Sequence, residues 1–448
     1  MVASRGQELQ GERGKSGLDV SALFRAYRVM ASGCAHGKCQ LTRLARGRNE
    51  IIGMASRRPR KAGEMKRIII AGVGFAGISA LKHLGEFTGT SPEFEVMVFD
   101  KNDYTTMIPS LPDVAAKRVG QNLPRADIGG LLPRRVLFKN EEITKIDFDA
   151  QSISVGSNDY GYDYLLLSAG SITNFFGFNQ HLSSIFVLDS LTEALKIKEA
   201  FGGYLSNRES PTLIISGAGF AGIEIACFLN EYAKANSKTI KVILVEKTAR
   251  VLGNLPAAVG GYVKSLTSDL GFDVVVNSSV ISFNGTDVTL ETGEVFEDVF
   301  FVWTSGTKRA IEDISGGFIS LPDGRMRVNE FLQVSGYENV FAAGDCAAIK
   351  SGDAYLRKAV AFSVSSGATA GKNIVRSLNN TPLKRFRPVD LGWVIPMYPS
   401  SIGKLLGVPV RGRLGLGLHY LTCGYRTHDL ESLRGYLALG LRNMIGAG

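Results

Sequence analysis

The chain has 448 residues, of which 45% are apolar, and it carries a formal net charge of +9. This length accommodates two or three domains with apolar cores, and no long stretch is both strongly apolar and free of charge, which argues against a transmembrane helix. Five cysteines are too few for a disulfide framework and fit a reducing cytoplasm.

Most of the positive charge lies in residues 1–64, which contain 13 Lys or Arg and 5 Asp or Glu. This segment shows no sustained periodicity and no apolar core of a secretory signal, and its acids argue against a transit peptide. We expect a disordered basic extension, with a targeting arm or a nucleic-acid-binding arm as the alternatives. The rest of the chain is close to neutral, and no nucleic-acid partner is expected.

The first predicted elements surround the sequence AGVGFAGI at 71–78. An apolar, β-branched run at 68–70 precedes it and predicts a buried parallel strand, and the helical pattern ISALKHL follows it. The glycines have the G-x-G-x-x-G spacing of a strand-to-helix turn that binds a dinucleotide pyrophosphate. The next strand, EVMVFD, ends in Asp100, where an acid can bond a ribose hydroxyl.

The segment after this unit is expected to begin with a loop-rich stretch at 101–120 that enters a helix. A helix and short strands are predicted over 123–155, where period-2 alternation appears. A buried strand, YDYLLLSAG at 162–170, ends in Ala-Gly, and a helix is predicted over 189–201.

The glycine turn then repeats as SGAGFAGI at 216–223, after an apolar run at 213–215 and before the helical pattern IEIACFL. The following strand, KVILVE, ends in Glu246. Strand, turn, helix, strand and acid thus occur twice at nearly one spacing, which indicates two dinucleotide sites. Two nucleotide cofactors suggest a flavoprotein that receives electrons from a nicotinamide.

Two later strands precede the C-terminal part. FVWTSG at 301–306 ends in small residues, and NVFAAGDCAAI at 339–349 is interrupted by a Gly-Asp pair. A long helix is predicted over 356–378, and beyond about residue 384 the chain becomes rich in Leu, Gly and Arg.

In this order the blocks resemble the two-dinucleotide-domain flavoproteins and, within them, the type II NADH dehydrogenases. The loop NDYTTMIPSLPDVA at 102–115, the strand YDYLLLSAGSITNFFG at 162–177 and the segments VWTSG and FAAGDCA are similar to that family's motifs. The resemblance implies an α/β fold with two Rossmann-like domains, in which an NAD domain is inserted into a glutathione-reductase-like FAD domain. The implied divisions are a FAD-binding domain at 65–179 and 307–383, an NAD(P)H-binding domain at 180–306, and a C-terminal helical, amphipathic segment at 384–448.

Carried over residue by residue, the resemblance also implies which residues hold each cofactor. FAD would be bound by Gly72, Gly74, Phe75, Ala76, Gly77, Asp100, Lys101, Ala169, Gly170, Gly344 and Asp345. NADH would be bound by Gly217, Gly219, Gly222, Glu224, Glu246 and Gly306. Glu224 would lie near the nicotinamide and is the one catalytic candidate, with a solvated helix charge as the alternative; no metal site is expected.

The sequence departs from that family at the helix that usually carries a glutamine-rich motif at the quinone pocket. The corresponding stretch is AVAFSVSSG at 359–367, where Ser365 and Ser366 replace the paired glutamines. The electron acceptor is therefore open: a different quinone, or none. The C-x₄-C pair Cys34 and Cys39 lies upstream of the first strand, whereas dithiol reductases carry such a pair after the first glycine helix.

The sequence thus predicts an FAD-dependent NADH dehydrogenase that passes electrons to a quinone. The alternatives are a soluble NAD(P)H-dependent reductase with another acceptor, a sulfide:quinone oxidoreductase, and an NADH-responsive flavoprotein without turnover. The sulfide enzymes need cysteines between the glycine motifs, and the stretch 66–226 contains none.

The C-terminal segment is predicted to contact a membrane or a second copy of the chain. Residues 386–448 hold seven Lys or Arg and three Asp or Glu. Apolar residues recur there at helical spacing on one face, namely Leu430, Leu433, Leu437, Leu441 and Met444. An apolar face flanked by arginines fits an anionic membrane interface, so we expect a cytoplasmic protein bound peripherally to the inner face of the cell membrane; a homodimer is the alternative.

Overall fold

The computed structural model describes residues 65–88, 93–253 and 255–446. The predicted basic extension at 1–64, with Cys34 and Cys39, lies outside the described residues. The helices of the described part are α1 (Phe75–Thr88), α2 (Leu111–Ala115), α3 (Leu191–Ser206), α4 (Phe220–Ala235), α5 (Ala257–Asp269), α6 (Val360–Leu378), α7 (Gly412–Tyr425) and α8 (Leu430–Ile445).

The first half of the chain begins a parallel sheet. The strands of this half of the chain are β1 (Lys66–Ala71), β2 (Phe94–Phe99), β3 (Tyr104–Thr106), β4 (Arg125–Asp127), β5 (Val136–Lys139), β6 (Ile143–Asp147), β7 (Ser152–Val155), β8 (Asn158–Gly161), β9 (Tyr164–Leu167) and β10 (Ser171–Thr173). Of these, β1, β2, β5 and β9 belong to the parallel sheet. The apolar run at 68–70 is fully buried in the centre of this sheet, as expected for a parallel strand covered on both faces.

A second parallel sheet follows along the chain. Its region contains β11 (Phe186–Val187), β12 (Thr212–Ser216), β13 (Lys241–Glu246), β14 (Asp273–Val276), β15 (Val280–Phe283), β16 (Val288–Leu290), β17 (Val295–Phe296) and β18 (Val299–Trp303). The sheet order is β11-β18-β12-β13-β14, and β15, β16 and β17 form a separate antiparallel sheet. The order reverses beside β12, which is where a doubly wound sheet binds its ligand.

The chain then returns to the first sheet. The remaining strands are β19 (Thr307–Arg309), β20 (Ile314–Ser315), β21 (Met326–Arg327), β22 (Val340–Ala342), β23 (Ala347–Ala348), β24 (Lys350–Ser351), β25 (Ala354–Tyr355), β26 (Gly392–Met397), β27 (Ser400–Leu405) and β28 (Val408–Arg411). Strand β22 pairs with β9 and completes the order β22-β9-β1-β2-β5. Strands β10 and β19, which lead into and out of the second sheet, pair antiparallel as a ribbon.

One predicted helix is wrong. Over 123–155 the structure has β4, a single 3₁₀ turn at 129–131 and then short strands, with no α-helix. Pro124, Pro133 and the pair Gly129-Gly130 explain the difference, because proline and glycine break a helix within so short a stretch. The long helix predicted over 356–378 begins at Val360, after the β24–β25 hairpin.

The C-terminal segment is an antiparallel sheet, β26-β27-β28, followed by the helical pair α7 and α8. Part of its apolar residues belong to the cores: Ile395, Met397 and Ile402 pack with the core of the second sheet, and Tyr420 and Tyr436 pack with Met107. No helix in the described part of the chain is long and apolar enough to cross a membrane.

Candidate functional site

The first glycine turn joins β1 to α1 with a backbone that side chains would not allow. Gly72 has a φ of +99°, and a Cβ at this position would lie 2.3 Å from the Cα of Ala169. A Cβ at Gly77 would lie 2.1 Å from the carbonyl oxygen of Gly72. Gly74 differs from both, because its Cβ would meet no heavy atom within 4 Å. Two glycines therefore close the turn, and the third leaves open space in front of it.

The acid at the end of β2 holds this turn. The carboxylate of Asp100 accepts hydrogen bonds from the backbone N–H of Val73, at 2.8 Å, and of Asn102, at 2.9 Å. Burial raises the pKa of Asp100, and these two hydrogen bonds oppose the shift. On the other side, the hydroxyl of Ser168 donates to the carbonyl of Gly72 at 2.8 Å.

The second glycine turn, between β12 and α4, repeats this geometry. Gly217 has a φ of +104°, and its Cβ would lie 2.8 Å from the Cα of Ser305. A Cβ at Gly222 would lie 1.9 Å from the carbonyl oxygen of Gly217, whereas one at Gly219 would meet nothing within 4 Å. The same open position thus occurs in both turns.

The bracing groups repeat as well. Glu246 accepts from the N–H of Ala218 at 3.0 Å and from that of Thr248 at 2.9 Å. The hydroxyl of Thr304 donates to the carbonyl of Gly217 at 3.0 Å, as Ser168 does in the first turn. Neither hydroxyl group was among the predicted site residues, although the two strands lead into similar sequences, LSAG and WTSG.

These observations test whether dinucleotides fit the two turns. In each turn, the open glycine lies at the start of a helix. The first turn of that helix carries no acidic side chain that would repel a phosphate near its N–H groups. Such an end attracts phosphate through its free N–H groups and the helix dipole. An acid at the end of the neighbouring strand stands where a ribose hydroxyl would bond. Both turns therefore fit a dinucleotide pyrophosphate.

Comparison with known proteins agrees with this geometry. Residues 66–368 match the family described as pyridine nucleotide-disulphide oxidoreductase. The chain belongs to that family. This membership and the two parallel sheets confirm the predicted α/β architecture with two dinucleotide-binding domains.

The chain is also similar to individual relatives and solved structures. It is 24% identical to a type II NADH:quinone oxidoreductase of Staphylococcus aureus over 375 residues, which cover 79% of this chain and 92% of the relative. NDH2 from Plasmodium falciparum, solved in complex with NADH, is similar in structure with a TM-score of 0.72 and 15% identity, over 86% of this chain and 98% of that one. The sulfide:quinone oxidoreductase of Aquifex aeolicus has a TM-score of 0.68 and 18% identity, over 85% and 92%.

The pair Gly344-Asp345, which follows β22, lies beside the first glycine turn. A Cβ at Gly344 would lie 3.1 Å from the Cβ of Ala76 in α1. The carboxylate of Asp345 accepts from the hydroxyl of Ser363 at 3.3 Å and from that of Ser171 at 3.4 Å. Burial raises the pKa of Asp345, and the positive charge of Lys358 opposes the shift.

The other residues predicted to bind FAD lie at different distances from the first glycine turn. Ala169 and Gly170 follow β9. Ala169 lies against the first turn at Gly72, whereas Gly170 has a φ of +73° and open space where a Cβ would lie. Phe75 opens α1 and lines a small pocket with residues of the paired strands β3 and β4 and with His428. Lys101 is exposed, and its Nζ lies 3.9 Å from the carboxylate of Glu142.

Glu224, the catalytic candidate, lies on α4 opposite a second carboxyl group. Burial raises the pKa of Glu224 well above its usual range, and the negative charge of Asp113 on α2 adds to the shift. Asp113 is itself fully buried, with a pKa of about 6 because burial outweighs the nearby Arg118. Its Oδ1 accepts from the hydroxyl of Tyr420 at 2.6 Å, and its Oδ2 has no partner. Glu224 is half-buried, which differs from the fully solvated helix charge that the alternative describes.

Gly306 follows β18 and lies beneath an exposed aromatic ring. A Cβ at Gly306 would lie 2.6 Å from the ring of Phe176. Phe176 has a φ of +51° and a side chain that is 66% exposed, while its neighbours Phe175 and Phe178 pack on Trp303. A strained, exposed ring held next to the second turn is a feature that sequence patterns did not reveal.

The cysteines of the described residues do not form a dithiol. Cys227, Cys346 and Cys423 are free and buried. Burial raises the pKa of the Cys346 thiol to about 12, and its sulfur donates to the carbonyl of Leu167. A buried, protonated thiol is a core residue rather than a redox centre.

Proposed function

We propose that the protein is an FAD-dependent NADH dehydrogenase that passes electrons to a quinone. The proposal rests chiefly on the duplicated turn: two open glycines, Gly74 and Gly219, each faced by an acid that already holds its loop. The relatives named type II NADH:quinone oxidoreductases support the donor and the acceptor class. The domain divisions and the cofactor residues predicted above are part of the same proposal.

The order of the strands supports a proposed position for each half of the two dinucleotides. Asp100 ends β2 and Glu246 ends β13, so the adenosine halves would lie on those sides of β1 and β12. The flavin and the nicotinamide would then lie on the sides of β9 and β18. These two strands are followed by β10 and β19, which pair with each other, so both reactive halves would approach one ribbon.

When bound there, FAD supplies the hydride and electron chemistry. The protein would supply position and selectivity. Glu246 would bond the ribose of NADH and repel the 2′-phosphate of NADPH, and Glu224 would lie near the nicotinamide. Burial and the negative charge of Asp113 both raise the pKa of Glu224, so Glu224 would hold a proton more readily than an exposed carboxyl group does.

The acceptor is proposed as a quinone that does not use the glutamine motif. The hydroxyl of Ser365 donates to the carbonyl of Ala361 at 2.8 Å, and that of Ser366 donates to the carbonyl of Ser363 at 3.2 Å. The Ser366 hydroxyl also accepts from the backbone N–H of Gly344 at 3.0 Å. Both hydroxyl protons are thus used within α6, so neither serine donates a hydrogen bond to a quinone in place of an amide.

A membrane would bring the quinone to the site, and α8 offers a surface for it. Its buried face carries Tyr436 and Gly440, so its apolar residues Leu430, Leu441 and Ile445 are exposed by 70%, 59% and 76%. Arg434 and Arg442 lie on the same helix, and arginines beside an apolar face favour an anionic bilayer. The proposal is therefore peripheral attachment at the inner face of the cell membrane, with a homodimer through the same face as the competing outcome.

The first test is cofactor content and turnover. The purified protein should hold one FAD per chain without a covalent bond, and it should oxidise NADH with a water-soluble quinone. Absence of flavin refutes the proposal. Reduction by NADH without turnover favours the NADH-responsive alternative, and turnover only with a non-quinone acceptor favours the soluble reductase.

The membrane step is tested by point substitutions, because truncation would remove core residues such as Tyr420. Leu430→Gln with Leu441→Gln should abolish sedimentation with anionic vesicles and lower turnover with a long-chain quinone, and turnover with a water-soluble quinone should stay unchanged. Leu137→Gln, at a leucine 46% exposed on β5, is the matched control. Unchanged vesicle binding with a loss of dimer mass would show that the face joins two copies.

A further inference from the structure

Lys358 links the two halves of the site. It precedes the N-cap residue of α6, Ala359, and its Nζ donates to the hydroxyl of Thr307 at 2.6 Å, with the carbonyl of the same residue at 3.4 Å. Thr307 begins β19, directly after Gly306 and the crossover of the second sheet. The lysine just before α6 is therefore held by the strand that leaves the second sheet.

The charge of Lys358 is not neutralised by an ion pair. Two arginines line the same pocket beside Asp345, but Arg357 is bound by Asp390 at 2.5 and 2.8 Å and Arg325 by Asp323 at 2.7 Å. Among the described residues, no carboxylate oxygen lies within ion-pair distance of the Lys358 ammonium. An ammonium group can donate three hydrogen bonds. The hydroxyl and the carbonyl of Thr307 accept two of them, so one proton of Lys358 is left to donate.

The surroundings of this ammonium are partly desolvated. Burial lowers the pKa of Lys358, and the charge of Asp345 opposes that shift more than the other neighbours do. Charges act more strongly where water is excluded. A positive charge in this pocket would thus have a larger effect on a bound group than one on the surface.

The pocket lies on the side of the first sheet where the flavin ring is expected. Asp100 marks the adenosine side at β2, and the pocket begins at Gly344, which follows β22 on the opposite side of β1. Gly344 also touches Ala76 at the start of α1. A dinucleotide that extends from Asp100 across the open Gly74 would therefore have its far end on the side of the sheet where this pocket lies.

We propose that Lys358, held by Thr307, lies beside the flavin ring and stabilises the negative charge that the ring gains on reduction. The inference rests on the proposed function, since it requires bound FAD. A fixed cation near the ring favours the reduced state of the cofactor. Lys358 would therefore raise the reduction potential of the bound FAD, and Thr307 would act as its positioning residue.

The experiment measures the redox equilibrium between the FAD-loaded protein and a reference dye of known potential. Lys358→Met, which keeps the length and removes the charge, should shift this equilibrium toward oxidised flavin by at least about tenfold, equal to ~30 mV for two electrons. Lys358→Arg should restore most of the loss. Lys350→Met, at an exposed lysine on β24, should change nothing.

Thr307→Val provides the second variant, because it keeps the lysine and removes its closest acceptor. It should shift the equilibrium in the same direction by less, about threefold, since the charge remains but is less well placed. If Lys358→Met fails to fold or to hold FAD, this variant decides.

An unchanged equilibrium in Lys358→Met with full FAD content, or in Thr307→Val if the first variant is not obtained, overturns the inference. A wild-type protein that binds no FAD would refute the proposed function instead, so the two failures are distinguishable.

Discussion

A substitution at Gly219, the open glycine of the second turn, should affect nucleotide binding with little effect on the stability of the fold. Gly219 has a φ of −82° and a ψ of −169° at the N-cap of α4, a conformation that alanine adopts without strain. Gly219→Ala should gain about 0.4–1 kcal/mol from the less flexible unfolded chain and lose about 0.5–1 kcal/mol of N-cap preference. The free energy of unfolding should therefore change by less than about 0.5 kcal/mol.

The same methyl group should strongly weaken NADH binding. The methyl group would occupy the open space beside Gly219, where no heavy atom lies within 4 Å of a Cβ. The pyrophosphate is proposed to approach the backbone at this place. A displacement of about 1 Å lowers catalytic efficiency by about 100-fold. We expect a loss of that size in kcat/KM for NADH, and loss of the stabilisation against thermal unfolding that NAD⁺ provides.

Two matched glycines control this experiment. Gly261→Ala, in the middle of α5 with open space around it, should stabilise the helix by up to about 1 kcal/mol and leave NADH use unchanged. Gly222→Ala, whose Cβ would lie 1.9 Å from the carbonyl of Gly217, should destabilise the fold by about 1–3 kcal/mol. A Gly219→Ala protein that binds NADH as the wild type does would refute a dinucleotide site at this turn.

Three further predictions follow from side chains of the site. Glu246→Ser should narrow the preference for NADH over NADPH, measured as the ratio of kcat/KM values; equal use of both donors by the wild type would refute the role of Glu246. Phe176→Ala should raise the dissociation constant of NADH about two- to tenfold by removing an aromatic contact worth ~0.5–1.5 kcal/mol, and an unchanged value would show that the ring faces only solvent. Asp113 has a pKa raised to about 6, so the folded state binds its proton more tightly than the unfolded state does, and this group's contribution to stability is present below about pH 4 and lost as the pH rises through 6, by ~3 kcal/mol at most. Asp113→Asn should lack that loss in denaturant unfolding followed against pH, and parallel pH profiles for the two proteins would contradict the assignment.

The duplicated turns could be predicted from sequence because their signal is local. Gly72 and Gly217 must adopt positive φ, the neighbouring strands are continuous apolar runs, and an acid closes each unit, so spacing alone carries the information. The structure adds that Asp100 and Glu246 bond the glycine loop itself. This second role is not visible in a pattern that only places the acid at the end of a strand.

The parts that sequence could not supply depend on contacts between distant residues. Asp113 and Tyr420 are 307 positions apart, and a short Leu-Pro-Asp stretch does not indicate that its carboxylate is buried. In the sequence, Lys358 is indistinguishable from an ordinary surface lysine, because its hydrogen bond to Thr307 joins residues 51 positions apart. The missed hydroxyls of Ser168 and Thr304 bond backbone carbonyls on a neighbouring strand, and no periodicity reports such a bond.

The return of β22 to the first sheet has a consequence for the order in which the chain folds as it leaves the ribosome. The five strands of the second sheet all lie between residues 186 and 303, so that sheet can close once its own segment has emerged. The first sheet begins at Lys66 but lacks β22 until residue 342 is made, and Asp113 stays uncovered until Tyr420 arrives. Domains fold as units during synthesis, and here the unit that starts first along the chain is completed last.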